Sequence, residues 1–107
     1  MPIDATTDPV LLRFRAALDE MFGDQIERVV LFGSRARGEA RPESDYDVAA
    51  FLKDFQDRWR EVERLIPVVS DILYEDGAFI HAMPYREGAY RDRSPLMHEI
   101  RREGRDL

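Results

Sequence analysis

Residues 29–52 read VVLFGSRARGEARPESDYDVAAFL. One apolar run, Val29-Val30-Leu31-Phe32, stops at Gly33-Ser34. A polar, arginine-rich stretch follows, and a second apolar run, Val48 to Leu52, opens on Ser44-Asp45-Tyr46-Asp47. Short apolar runs bounded by turn residues predict buried strands, here residues 26–32 and 45–52. Residues 35–43 between them predict a polar loop or a short helical turn. Upstream, Asp8-Pro9 is a helix start, because Asp can cap and Pro fits the first helical position. Leu11, Phe14, Leu18 and Met21 then recur at helical spacing up to Gly23. Downstream, residues 57–76 predict a helix whose core face is Trp59, Val62, Ile66, Val69 and Leu73. Pro67 is expected to kink or split it, and Gly77 to stop it. Residues 78–85 predict a third strand, and residues 86–93 a turn-rich connection. Ser94-Pro95 predicts the start of a last short helix, which Gly104 ends. This order, α-β-(turn)-β-α-β-α, predicts an α/β (α+β) chain with a small mixed β-sheet and helices packed against it.

The 107 residues suit one domain, 1–107, with no room for a second. Apolar residues are 44% of the chain, enough for a core without stapling. A domain of this size leaves apolar surface exposed, so a homo- or hetero-oligomer is an expectation. Cysteine is absent, which excludes disulfides, thiolate metal sites and cysteine catalysis, and suits the cytoplasm. No apolar run approaches the roughly 18 residues of a membrane span. Met1 to Asp8 has neither a basic nor an apolar region, so no signal peptide is expected. The net charge of −6 disfavours non-specific nucleic-acid binding, which phosphate neutralisation drives. The arginines are uneven, however. Arg35, Arg37 and Arg41 crowd one loop, and Arg91, Arg93, Arg101, Arg102 and Arg105 crowd the C-terminal end. Local basic patches on an acidic chain fit a bound nucleotide or one acidic partner better than a long polyanion.

A strand that ends in Gly-Ser and turns into a helical segment exposes backbone N–H groups, which can cradle phosphate oxygens. Gly33 would let the backbone approach closely, and the Ser34 hydroxyl would add a donor. Asp45 and Asp47 are two apart on a strand and should project from one face. Two adjacent carboxylates repel unless a cation lies between them. Mg²⁺ takes one or two carboxylates and completes its shell with substrate phosphates. Such a cation clamps the attacking and leaving oxygens of a nucleotidyl transfer. Arg35 and Arg37 are candidates for phosphate contact. Ser44 is a candidate for the nucleotide site or for fixing its loop.

The segment GSRARGEARPESDYD resembles the signature of the minimal nucleotidyltransferases of the DNA polymerase beta-like superfamily: Gly-Ser, then Ala-Arg-Gly, then Ser-Asp-x-Asp. The resemblance implies a palm-like nucleotidyltransferase fold. It implies transfer of a nucleoside monophosphate, AMP from ATP or another nucleoside triphosphate, to a hydroxyl with Mg²⁺ or Mn²⁺. It implies Gly33 and Ser34 for the triphosphate and Asp45 and Asp47 for metal and catalysis, with Arg35, Arg37 and Ser44 kept beside them as the nucleotide-binding candidates named above. Many small members pair with a HEPN-type toxin and act as its antitoxin, some by adding AMP to a toxin tyrosine. One departure stands out. The family often has a third carboxylate on the strand after the long helix. Here that strand, Ala78-Phe79-Ile80-His81-Ala82-Met83-Pro84-Tyr85, carries no acid. His81 is its titratable residue before Tyr85 and the candidate base, expected on the same sheet face as Asp45 and Asp47. The alternative is a weak or inactive nucleotide-binding module that neutralises a partner protein by binding it.

Overall fold

Asp8 begins the first helix, α1 (Pro9–Phe22). Its Oδ1 accepts the N–H groups of Val10 and Leu11 at 2.8 and 3.2 Å. These are two of the donors that a helix start leaves without partners. The computed structural model describes residues 7–107, so most of the leader reading on Met1 to Asp8 lies outside the described residues. After α1 come β1 (Ile26–Phe32), α2 (Gly33–Arg37), β2 (Tyr46–Leu52), α3 (Arg58–Asp76), β3 (Ile80–Arg86), α4 (Pro95–Glu103) and β4 (Arg105–Asp106). Among the described residues no helix is long and apolar enough to cross a membrane.

The sheet order is β3-β2-β1-β4. β1 runs antiparallel to β2 and β4, and β2 runs parallel to β3, so the sheet is mixed. Period two splits the two central strands between two layers. Val29, Leu31, Tyr46, Val48, Ala50 and Leu52 join Ile80 against α1 and α3. Val30, Phe32, Ala49 and Phe51 join Met97 and Ile100 of α4 on the other face. Coverage on both sides is why β1 and β2 read as continuous apolar runs rather than alternating ones.

Helix α3 corrects the expected core face. Its buried residues are Glu61, Leu65, Val68 and Ile72. From Val62 to Leu73 the expected stripe is displaced from these by one residue, a rotation of about 100°. Trp59 is 71% exposed, Ile66 and Leu73 are also exposed, and Val62 and Val69 are half-buried. Both stripes are largely apolar, so periodicity alone did not choose between them. Arg64 fixes the rotation: its guanidinium donates to the Met21 carbonyl and lies 4.2 Å from the centre of the Phe22 ring. It also pairs with Glu61 at 3.6 Å, a carboxylate only 1% exposed that had hidden the true stripe. The expected split at Pro67 is absent, and the helix runs through it. Pro67 and Glu63 are both exposed, so the carbonyl that loses its N–H partner at Pro67 can be met by water.

Strand β4 was not foreseen. Arg105 and Asp106 pair with Leu31 and Val30, the Arg105 Nε donates to the Ala36 carbonyl at 3.1 Å, and the Leu107 N–H donates to the Val29 carbonyl. The turn from α4 into β4 passes over Gly104. A Cβ there would collide with the Ile100 carbonyl and the Val30 side chain. Gly104→Ala is therefore expected to cost about 1–3 kcal/mol, the usual range for overpacking. Thermal unfolding checks this; an unchanged midpoint would mean that α4 does not end pressed against β1.

Candidate nucleotide and metal site

Gly33 leaves β1 with φ of +77°, a left-handed conformation that L-residues avoid, and opens α2. Phe32 pairs with Asp47 across the antiparallel β1–β2 ladder, which brings the turn and the carboxylate together. A Cβ on Gly33 would collide with Asp47 Oδ2 and lie 3.2 Å from Asp47 Cγ. Only the missing side chain at Gly33 lets the Asp47 carboxylate lie against that turn. On the parallel side Asp47 pairs with His81 of β3, and His81 Nδ1 is 3.5 Å from Asp47 Oδ1. Asp47 and His81 share the α4 side of the sheet. The Asp47 side chain is 31% exposed and that of His81 56%, so both border solvent.

Asp45 was expected inside the strand, but β2 begins at Tyr46, and Asp45 is an exposed residue just before it. Tyr46 is the pivot between the two acids. Its ring is buried, its hydroxyl donates to Asp8 Oδ2 at 3.1 Å, and the Arg35 guanidinium lies 4.0 Å from the ring centre. Burial, then the Asp8 carboxylate, push the Tyr46 phenol above its usual range, with Arg35 opposing. Arg35 also donates to the carbonyls of Ser44, Arg41 and Pro42, and the Ser44 hydroxyl accepts the Arg41 N–H at 2.9 Å. Arg35 and Ser44 thus hold the loop that carries Asp45 and leads into Asp47 on β2. Arg37 points elsewhere. It pairs with Glu39 at 3.0 Å and with Glu103 at 3.1 Å. Glu39 first, then Glu103, raise its pKa further, against a desolvation penalty.

Two residues at this site escaped the sequence reading. Asp8 was read only as a helix cap, yet its second oxygen ties α1 to Tyr46. Glu103 has no part in the sequence reading, yet its Oε1 accepts the Gly33 N–H at 3.1 Å. Neither lies within 30 residues of its partner, so no local pattern could have found them.

Among the described residues no protein group donates a hydrogen bond to Asp45 or Asp47, and no three His, Cys, Asp or Glu side chains are grouped to hold a metal ion. Two solvent-bordering carboxylates that no described protein group holds by a hydrogen bond suit a cation that takes only one or two carboxylates from protein and the rest from phosphate and water. They do not suit an all-protein cage.

Comparisons with known proteins bear on the family and the fold. The family model described as a nucleotidyltransferase domain matches residues 11–93. A protein of Methanocaldococcus jannaschii, provisionally named a protein adenylyltransferase, is 33% identical over 78 residues, covering 73% of this chain and 78% of its own. A solved structure from Sulfolobus solfataricus, provisionally described as a nucleotidyltransferase, superposes with a TM-score of 0.58 at 15% identity, covering 97% of this chain and 86% of that one. That likeness carries the fold alone. The family match and the relative, taken with Gly33-Ser34 set against Asp47, place the chain in the nucleotidyltransferase domain family.

Proposed function

We propose that this chain transfers AMP from ATP to a hydroxyl group, with Mg²⁺ or Mn²⁺ held by Asp45 and Asp47. One observation carries the reading: the Asp47 carboxylate lies against the bare backbone of Gly33. A carboxylate that would hold the cation and a turn whose backbone would face the phosphates are thereby adjacent. The bound cation would supply Lewis-acid stabilisation of the charge that builds on the phosphate oxygens. Ser34 would offer its N–H and hydroxyl, and Arg37 its charge, to the β- and γ-phosphates. Arg35 and Ser44 would act on the nucleotide indirectly, by holding the acid-bearing loop.

In the transfer itself the acceptor oxygen bonds to the α-phosphorus. The bond from that phosphorus to the bridging oxygen breaks, and pyrophosphate leaves with the electron pair. The acceptor's proton goes to His81. With Nδ1 turned towards Asp47, His81 has Nε2 free to take it. Its place on the edge strand β3, more than half exposed, suits a bulky protein acceptor. The acceptor in this reading is a tyrosine of a HEPN-type toxin, with the present chain as antitoxin. Support comes from the family resemblance and from the relative named for protein adenylylation.

Incubation of the chain with [α-³²P]ATP, Mg²⁺ and a candidate toxin tests this reading. Metal-dependent label on the toxin is the expected result, and no label with any divalent metal would remove it. His81→Ala should then lower the rate by about a hundredfold, the lower end for loss of a general base, without changing nucleotide affinity. A rate equal to the parent's would remove His81 from the chemistry.

One observation favours a second reading, a binding module that masks its partner without modifying it: β3 carries no carboxylate. A partner that copurifies unmodified, and equally well with Asp45→Asn and Asp47→Asn, would select it.

A further inference from the structure

The Gly33 N–H already has an anion bound to it. Glu103, the last residue of α4, directs Oε1 to that N–H at 3.1 Å, and the same oxygen lies 3.1 Å from Arg37 Nη1. The Glu103 side chain is only 10% exposed, whereas Glu39, the other partner of Arg37, is 64% exposed. Its position is built in by its neighbours. Gly104 presses the end of α4 onto Val30, β4 pairs with β1 immediately after, and Arg105 donates to the Ala36 carbonyl of α2. One carboxylate oxygen therefore bridges a turn N–H and a guanidinium, the geometry in which a phosphate oxygen would be bound.

We infer that Glu103 is an internal competitor for the nucleotide's phosphates, a latch that must swing out before the triphosphate can use Gly33 and Arg37. The inference rests on the nucleotide-binding reading proposed above and adds the regulation of that site. Glu103 cannot share the position with phosphate. Both are anions with no donor to offer each other, and Asp47 already adds negative charge at the same turn. Nor does Glu103 complete a metal cage, because no group of three ligating side chains exists among the described residues. Releasing it needs only rotation of a long side chain; α4 and β4 can stay in place. Glu103 also lies beyond the segment that matches the family. Any ligand or partner segment that draws the carboxylate away, such as a basic side chain, would raise nucleotide affinity.

The test is calorimetric titration of Mg²⁺-ATP into the parent, Glu103→Gln, Glu103→Ala and Glu39→Gln. Glu103→Gln keeps the shape and can still accept the Gly33 N–H, so it guards against a folding failure of the alanine variant. Both Glu103 variants are expected to bind at least about tenfold more tightly, the scale of one lost charge-assisted competitor. Glu39→Gln, which frees only the exposed side of Arg37, should stay within about threefold. In the parent, the Gly33 amide resonance should move on nucleotide binding to the position it takes in the nucleotide-bound Glu103→Ala protein. If the parent binds and both Glu103 variants bind equally or more weakly, the latch is overturned while the nucleotide site stands, and Glu103 is a positioning residue for the turn. If neither parent nor variants bind, both readings are overturned together.

Discussion

Replacing Asp47 by Asn is expected to lower metal-dependent transfer by about a thousandfold or more and to leave the melting temperature unchanged or raised. The scale follows from charge. Metal-ion stabilisation of a phosphoryl transition state contributes several kcal/mol, and about 1.4 kcal/mol is a factor of ten in rate. The stability half follows from the surroundings of the carboxylate. Among the described residues Asp47 accepts no protein hydrogen bond, and the side chain nearest to pairing with it is His81, 3.5 Å away and more than half exposed. An exposed pair of that kind contributes about 0–1 kcal/mol at most. Neutralising Asp47 also removes one of the two negative charges, its own and that of Glu103, that meet at the Gly33 turn. Asn has the same shape and fits against Gly33. Parallel transfer assays and thermal melts on the variant decide the matter. Retained transfer would take Asp47 out of the metal site, and a fall of more than about 8 °C, roughly 1–2 kcal/mol for a chain of this size, would mark it as structural.

The sheet and the site were unequally legible in the sequence. β1 and β2 announced themselves because both faces of each are buried, so their apolar runs are unbroken. The Gly-Ser and Asp-x-Asp elements were legible because they are short and lie on adjacent chain segments. The rotation of α3 was not. Two stripes one residue apart were both mainly apolar, and the choice was made by Arg64 reaching back to Met21 and Phe22, more than 40 residues upstream. β4 was invisible because a two-residue strand has no period. Glu103 and Asp8 were invisible as site residues for the same reason that α3 was misread: their roles are long-range contacts, and nothing in their own neighbourhood encodes them. His81 was legible by position alone. The parallel register that sets it beside Asp47 follows from strand order, which periodicity does not give.

Gly33→Ala is expected to lose metal-dependent nucleotide binding and about 5–15 °C of thermal stability. Two effects act at this one position, and they are separable. The first is backbone strain: at φ of +77° an alanine costs about 1–2 kcal/mol that glycine does not. At roughly 4–8 °C per kcal/mol, that alone gives most of the expected shift. The second is contact. The new Cβ would meet Asp47 Oδ2 and stand 3.3 Å from Asp47 Cβ. The oxygen sits at the end of a side chain that can turn, so the collision costs little stability once the carboxylate rotates away. Rotation nevertheless takes Asp47 off the turn, so the steric effect appears mainly in binding. The double variant Gly33→Ala/Asp47→Ala separates the two. With the carboxylate gone only the backbone term remains, and the double variant should recover less than half of the lost melting temperature. Full recovery would assign the whole loss to the contact and leave no role for the left-handed turn. An unchanged melting temperature in Gly33→Ala itself, with nucleotide binding intact, would show that neither the turn nor its approach to Asp47 is required, and the site would have to be sought elsewhere on the sheet.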